Sequence, residues 1–175
     1  DIGKATTFFQ AYIRDPDKKS GQLKNHGLLS AILAFQYLIN QGYDQFWSYS
    51  IYQIIKAHHN NLSAFSKFES FNSTILTRQI ADITENALSE LEKIYSDFNV
   101  EVSFITDINL QKLLRQIKTL GLILKKHQSN TEKKSIEEFF LINYIFSLLV
   151  DYDKHDAARL KDDYFIDNLE TDFIS

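Results

Sequence analysis

Histidines and aspartates are the side chains whose types and spacing in this sequence most suggest chemistry. In the stretch IIKAHHNN, His58 and His59 stand side by side at the end of an apolar run. Adjacent residues on a helix point about 100° apart, so a core would absorb only one of the two. The other candidate ligands are Asp1, His26, Asp151, Asp153 and Asp156. Imidazole and carboxylate groups suit Mn, Fe, Co, Ni or Zn, and two such ions can clamp a phosphate, so the pattern indicates a divalent-metal site.

Each of these candidates also has a purely structural interpretation. A buried histidine among apolar neighbours is often a hydrogen-bonded core residue, and an adjacent pair is a weak signal by itself. The cluster of Asp151, Asp153 and Asp156 can equally be the solvated end of a helix, and His155 within it can point to solvent. Spacing alone therefore leaves the metal site and the structural interpretation both open.

Two predicted helices position the histidines. One proline and five glycines leave few places to break a helix in 175 residues, which predicts an almost entirely α-helical chain. His26, Ser30 and Leu33 share one face of a helix that closes at Gly42. Asp44 is suited to cap the helix that follows.

The second of these predicted helices places the side chains of the two adjacent histidines on different faces. Ile51, Ile54, Ile55 and His58 follow the i, i+3, i+4, i+7 spacing of an inward helical face. His59 falls on the neighbouring stripe. The pair could therefore serve two metals, or one ring could ligate while the other holds the substrate.

Three further long helices are predicted, at residues 74–98, 109–127 and 135–160. Within the last one, the run FFLINYIFSLLV at 139–150 is the longest apolar stretch of the chain. It is too short and too polar to span a membrane. We therefore predict a buried core helix there.

The composition narrows the classes of protein to which the chain can belong. Hydrophobic residues make up 44% and aromatic residues 14% of the sequence, which predicts one folded domain and excludes a disordered chain. The lack of cysteine excludes a thiolate metal site. A net charge of −4 argues against binding nucleic acid by bulk electrostatics, although it does not argue against a local channel. We expect a cytoplasmic location.

Four segments, taken in order, resemble the HD nuclease domain of Cas3, the effector nuclease-helicase of type I CRISPR systems. They are DIGKATTFFQAYI, KNHGLLSAILAF, IIKAHHNNL and FSLLVDYDKHDAARL. Asp1 and Lys4 stand at the positions of that family's metal-bridging aspartate and its accompanying lysine. His26 and Ser30 match its H-x-x-x-SA motif, the adjacent histidines match I-x-x-HH-G-x-L, and Asp153 matches the ligand aspartate of its LVDAD stretch.

The resemblance implies an all-α, HD-superfamily helical bundle with a two-metal centre. The nuclease domain would span residues 1–160, and the acidic residues 161–175 would form a tail or linker towards a helicase portion. Divalent Mn, Fe, Co or Ni ions are implied as cofactors. The implied metal ligands are Asp1, His26, His58, His59 and Asp153, with Asp151 as the alternative to Asp153. Asp1 and Lys4 would be catalytic, and Lys4 and Ser30 would contact the substrate.

The activity implied by the resemblance is metal-dependent endo- or exonucleolytic cleavage of single-stranded DNA in CRISPR interference. The implied partners are single-stranded DNA, the guide-RNA surveillance complex Cascade, and a helicase portion in the same or a separate chain. No membrane partner is expected.

The sequence also departs from the family pattern. Asn60 replaces a glycine and Tyr152 replaces an alanine, and the chain begins at Asp1 although the family carries metal-binding histidines before that aspartate. We therefore expect the complete protein to contain more sequence before Asp1. Two alternatives remain open: an HD-superfamily phosphohydrolase that acts on nucleotides, and a non-catalytic helical interaction module whose HD site has decayed.

Overall fold

The computed structural model of the protein describes residues 1–15, 17, 21–60, 62, 70–130 and 136–158. These residues form α-helices and short 3-10 segments, with no β-strand among them, which confirms the all-α fold class. The α-helices are α1 (Thr7–Arg14), α2 (Gly27–Asn40), α3 (Gln45–Ala57), α4 (Ser73–Asn86), α5 (Leu88–Ser96), α6 (Leu110–Asn130) and α7 (Ile136–Ala158). The predicted tail at 161–175 lies outside the described residues.

The core is built around α2. This helix is apolar on nearly all sides, and its residues 29–33 and Phe35 are buried. Helix α3 packs along it, the 3-10 segment Ile2–Ala5 lies against it, and α4 also contacts it. Burying one large apolar side chain contributes about 1.5–3 kcal/mol, so the buried residues of α2 make a substantial contribution to the stability of the fold.

A short connection makes α2 and α3 neighbours. Gly42 lies in it with φ of +77°, a left-handed conformation that favours glycine. Asp44 accepts hydrogen bonds from the backbone N–H groups of Phe46 at 2.9 Å and Trp47 at 3.3 Å, which confirms it as the cap of α3. The end of α3 lies beside the start of α2, since a Cβ on Gly27 would come within 3.8 Å of the Ile55 carbonyl oxygen.

The prediction of one helix over 74–98 is wrong, because the chain forms α4 and α5 there. Ala87 separates them with φ of −131° and is itself buried against the core. Its amide still donates to the Ile83 carbonyl at 2.9 Å, so the break turns the chain without leaving that N–H group unpaired. No glycine or proline marks the position, and packing of Ala87 into the core sets the break.

The prediction that the apolar run of α7 is a buried core helix is also wrong. None of its described side chains is buried. Its large exposed apolar side chains are Ile136, Phe139, Phe140, Leu141, Tyr144, Leu148 and Tyr152. The helix packs against α3 and contacts Lys4 through Asp153, and these contacts cover only part of a helix whose large apolar side chains are spread around its axis. No helix in the described part of the chain is long and apolar enough to cross a membrane.

Candidate metal centre

The first residues of the chain are held against the start of α2. The amide of Gly3 donates to Ser30 Oγ at 2.8 Å, and the Ser30 hydroxyl donates to Asp1 Oδ1. A Cβ on Gly3 would lie 2.5 Å from the His26 carbonyl oxygen, so only glycine allows this approach. The contact fixes the Asp1 carboxylate beside the histidines.

Three imidazole rings meet at this point. His26 immediately precedes α2, and His58 is the C-cap residue of α3, followed by His59 in a turn. The ring centroids are 5.5 Å apart for His26 and His58, and 4.7 Å apart for His26 and His59. The packing of α2 on α3 therefore unites residues that are more than thirty positions apart in the sequence.

Asp1 is the carboxylate closest to two of these rings. Its Oδ2 lies 3.1 Å from His26 Nε2 and 3.4 Å from His58 Nε2. His26 Nε2 also lies 2.7 Å from His59 Nε2. Two nitrogen or oxygen ligands about 2.1 Å from one ion lie about 3.0–3.4 Å apart at octahedral to tetrahedral angles, and the two Asp1 distances fall in that range, which direct ion pairs also occupy. The His26–His59 distance is shorter and is that of a direct contact between the two rings.

His58 has the hydrogen bonding of a metal ligand. Its Nδ1 contacts the Ile55 carbonyl oxygen, which only accepts hydrogen bonds, so Nδ1 carries the proton. Its Nε2 is buried and makes no hydrogen bond. A ring nitrogen held by a backbone carbonyl leaves the other nitrogen's lone pair available to a metal ion, and this buried nitrogen therefore fits that role.

Helix α7 contributes Asp153 to the site. One carboxylate oxygen, Oδ1, accepts a hydrogen bond from Lys4 Nζ at 2.8 Å, and Oδ2 lies 3.7 Å from His59 Nδ1. Asp151, the alternative ligand, is directed elsewhere: its side chain is 64% exposed and pairs with His155 at 3.8 Å. The structure thus brings Asp153 to the histidines and leaves Asp151 outside. The side chain of Asp156 lies outside the described ones.

Two groups of candidate ligands result, and both contain His58. The first is His26, His58 and His59, and the second is Asp1, His58 and Asp153, with the ligand atoms of each group within 4.8 Å of one another. Nitrogen ligands dominate the first group and oxygen ligands the second. This donor set fits divalent first-row transition ions better than Mg²⁺ or Ca²⁺, which prefer oxygen alone.

Burial and neighbouring groups lower the pKa of His26 and of His59, which favours the neutral rings that metal ligation requires. Burial lowers the pKa of His26 from 6.5 to about 4, and the charges of His58 and Lys4 act in the same direction. Burial, followed by the charges of His58 and His26, also lowers the pKa of His59. For Asp153, burial alone would raise the pKa, but the hydrogen bond and charge of Lys4 outweigh it, so the pKa is lowered and the group is ionised.

A basic cleft opens beside the histidines. It has a volume of about 600 Å³, and its lining includes Lys4, Lys24, Lys56 and Tyr12. The Lys24 ammonium lies 3.8 Å from the centroid of the Tyr12 ring. Asp153 also lines the cleft and pairs with Lys4, so Lys24 and Lys56 supply its excess positive charge in a chain of net negative charge.

Several residues that support the site were missed in the sequence. Gln79 of α4 is buried and donates to the carbonyls of Leu23 at 2.8 Å and Asn25 at 2.9 Å, which holds the segment before His26. The ring of Phe9 packs edge-on against His26 with centroids 4.4 Å apart. The available signal in the sequence was that Gln79 lies at helical spacing between Leu76 and Ile83, which places a polar side chain on the buried face of α4.

The predicted ligand set Asp1, His26, His58, His59 and Asp153 converges in one site, together with Lys4 and Ser30. Comparisons with protein-family models, curated proteins and solved structures found no match for this chain.

Proposed function

We propose that this chain is an HD-superfamily, metal-dependent phosphodiesterase that cleaves single-stranded DNA. The observation that carries the proposal is the pair of ligand groups that share His58, whose buried Nε2 makes no hydrogen bond. A hydrogen-bonded core histidine would have both ring nitrogens satisfied. The same residues match the motifs that resemble the Cas3 HD nuclease.

Divalent Mn, Fe, Co or Ni ions, two of them by analogy with the family, would polarise the phosphodiester and activate a water when bound. His26, His58 and His59 would hold one ion, and Asp1 and Asp153 would supply the oxygen ligands. These protein groups are oriented beforehand by Ser30 on Asp1 and by the backbone carbonyl on His58.

Lys4 would provide positive charge at the phosphate. Its ammonium lies 2.8 Å from Asp153 and borders the basic cleft next to the histidines. A fixed cation near the phosphate stabilises the negative charge that grows in the transition state. Lys24 and Lys56 line the same cleft and would hold the strand by its neighbouring phosphates.

The proposed biological setting is type I CRISPR interference, with Cascade and a helicase portion as partners. A chain of net charge −4 attracts DNA only through a local basic region. Delivery of the strand by partner proteins is consistent with that charge distribution.

Metal content and cleavage, measured on matched variants, test the proposal. The purified chain is incubated with Mn²⁺ or Ni²⁺, desalted and analysed for metal, and then assayed on single-stranded DNA and on a panel of nucleotides. We expect about one to two ions per chain and cleavage of the DNA. Asp153→Asn should lose metal and activity, whereas the control Asp151→Asn should keep both, because Asp151 lies away from the rings.

Circular dichroism separates a lost ligand from a lost fold, since His58→Ala should remain helical while losing metal. Equal metal binding by wild type and His58→Ala would refute the site. Metal-dependent hydrolysis of nucleotides without DNA cleavage would point to the nucleotide phosphohydrolase instead. A protein that binds metal but hydrolyses neither DNA nor nucleotides would support the non-catalytic interaction module.

A further inference from the structure

A second cavity adjoins the metal centre and shares Lys4 and Asp153 with the lining of the basic cleft. It has a volume of about 530 Å³ and extends between α2, α7 and residues 95–104. One end is formed by Asp1, Lys4, His58 and Asp153, which are the residues of the metal centre. The cavity therefore begins where a scissile phosphate would lie.

Aromatic rings also line this cavity. They belong to Tyr37, Tyr95, Phe104 and Tyr152, and most of the remaining uncharged lining residues are aliphatic. The rings of Tyr37 and Phe104 lie 6.1 Å apart and are inclined at 42°. The surroundings are apolar enough that burial raises the pKa of the Tyr95 hydroxyl. The cavity thus has a charged end and an aromatic end.

We propose that this aromatic cavity binds an unpaired nucleobase of the nucleotide whose phosphate lies at the metal centre. A ligand that fits carries an anionic group and a flat ring joined by a short spacer, and a nucleotide, whose deoxyribose joins the phosphate to the base, has that construction. The volume falls within the range of about 300–1,000 Å³ that is usual for small-molecule sites. Bases stack on aromatic side chains without strong sequence preference.

This inference rests on the proposed function and gives a physical reason for its selectivity. A base can enter a cavity only after leaving its stack and its partner base, which costs a few kcal/mol in a duplex and little in a single strand. Preference for single-stranded DNA would thus arise at Tyr37 and Phe104, whereas the metal ligands would be indifferent to strandedness.

A binding experiment with a ligand that contains no phosphodiester tests the cavity independently of cleavage. Deoxythymidine 3′,5′-bisphosphate and its abasic deoxyribose analogue are titrated calorimetrically into the Mn²⁺-loaded protein. We expect the base to strengthen binding about tenfold, the gain typical of one base stacked on an aromatic ring. Phe104→Leu and Tyr37→Leu, which keep apolar volume but remove a ring, should abolish that difference.

Phe98→Leu is the matched control, because Phe98 is 72% exposed and does not line the cavity. Equal affinity of wild type for the two bisphosphates, or unchanged discrimination in both ring variants, would overturn the inference. If the wild-type protein binds the base-containing bisphosphate more tightly than the abasic one but does not cleave DNA, the proposed nuclease activity is refuted and the base-binding cavity is supported. If it cleaves DNA but binds both bisphosphates equally, the cavity is refuted and the nuclease activity is supported.

Discussion

The metal-free protein should lose stability as the pH falls, because His26 must remain neutral in the folded state. Its pKa is about 4 when folded and 6.5 as the ordinary value, mainly through burial and also through the charges of His58 and Lys4. Asp153 opposes the shift, but too weakly to cancel it. Between these two pH values the unfolded chain therefore binds a proton that the folded chain does not.

The size of the effect follows from proton linkage. In that window the free energy of unfolding falls by up to about 1.4 kcal/mol for each pH unit, since the unfolded state binds one more proton. From about pH 7 to about pH 5, His26 alone accounts for a loss of about 2 kcal/mol. The lowered pKa of His59 adds to the loss. Asp153 does not contribute to the loss of stability between about pH 7 and about pH 5, because its lowered pKa affects stability only below the ordinary pKa of 3.8.

Urea unfolding followed by circular dichroism in EDTA, at several pH values across this window, measures the loss. His26→Asn is the control, because asparagine does not titrate and should remove about 2 kcal/mol of the difference between about pH 7 and about pH 5. Parallel pH profiles for wild type and His26→Asn would refute the reasoning. So would a wild-type protein that is equally stable at both ends of the window.

Other predictions concern the packing around the site. Gly3→Ala should destabilise the protein by about 1–3 kcal/mol and also lower its metal content, because the new Cβ would lie 2.5 Å from the His26 carbonyl and displace the segment that carries the ligand carboxylate. Gly121→Ala should also destabilise the protein by about 1–3 kcal/mol, because the new Cβ would meet the hydroxyl of Tyr49, a core residue. The metal content of this variant should stay unchanged, and a loss of metal would contradict the proposed location of the metal centre. His155→Ala should keep its metal and any cleavage, because this residue pairs only weakly with an exposed aspartate, and an inactive variant would show that the role of the α7 acidic group is misassigned.

The helices that carry the histidines could be predicted because their patterns are local. The spacing of Ile51, Ile54 and Ile55 with His58 correctly turned His58 inward, and Asp44 is the cap that its type suggests. The inward face and the cap both depend on residues within two turns of one another. Such features are readable without tertiary information.

The failures arose where tertiary packing decides. Residues 139–150 carry only two polar side chains, Asn143 and Ser147, so periodicity gave little indication of the orientation of α7 and no sign that it would expose its large apolar side chains. The break at Ala87 depends on how two helices fit the core. Which aspartate of α7 reaches the histidines could be proposed from resemblance, but only the packing of α7 on α3 brings Asp153 there and leaves Asp151 exposed.

The two adjacent histidines lie at the end of α3, where the helix gives way to a turn. The helix stops at Ala57, and the following turn brings the rings of His58 and His59 to 3.8 Å between centroids. His58 is buried with a fixed tautomer, whereas the side chain of His59 is 47% exposed and borders the basic cleft. In the proposed site, His58 would hold an ion, and His59 would also be placed to contact the substrate.

The same burial that costs stability in acid prepares the site for a metal. A free imidazole is largely protonated below its ordinary pKa of 6.5, and a proton on the ligating nitrogen excludes the ion. With a pKa of about 4, His26 stays neutral through most of the acidic range, so the folded protein presents its lone pair without first releasing a proton. The predicted loss of stability in acid and the proposed binding of a divalent ion would thus be two consequences of one buried ring.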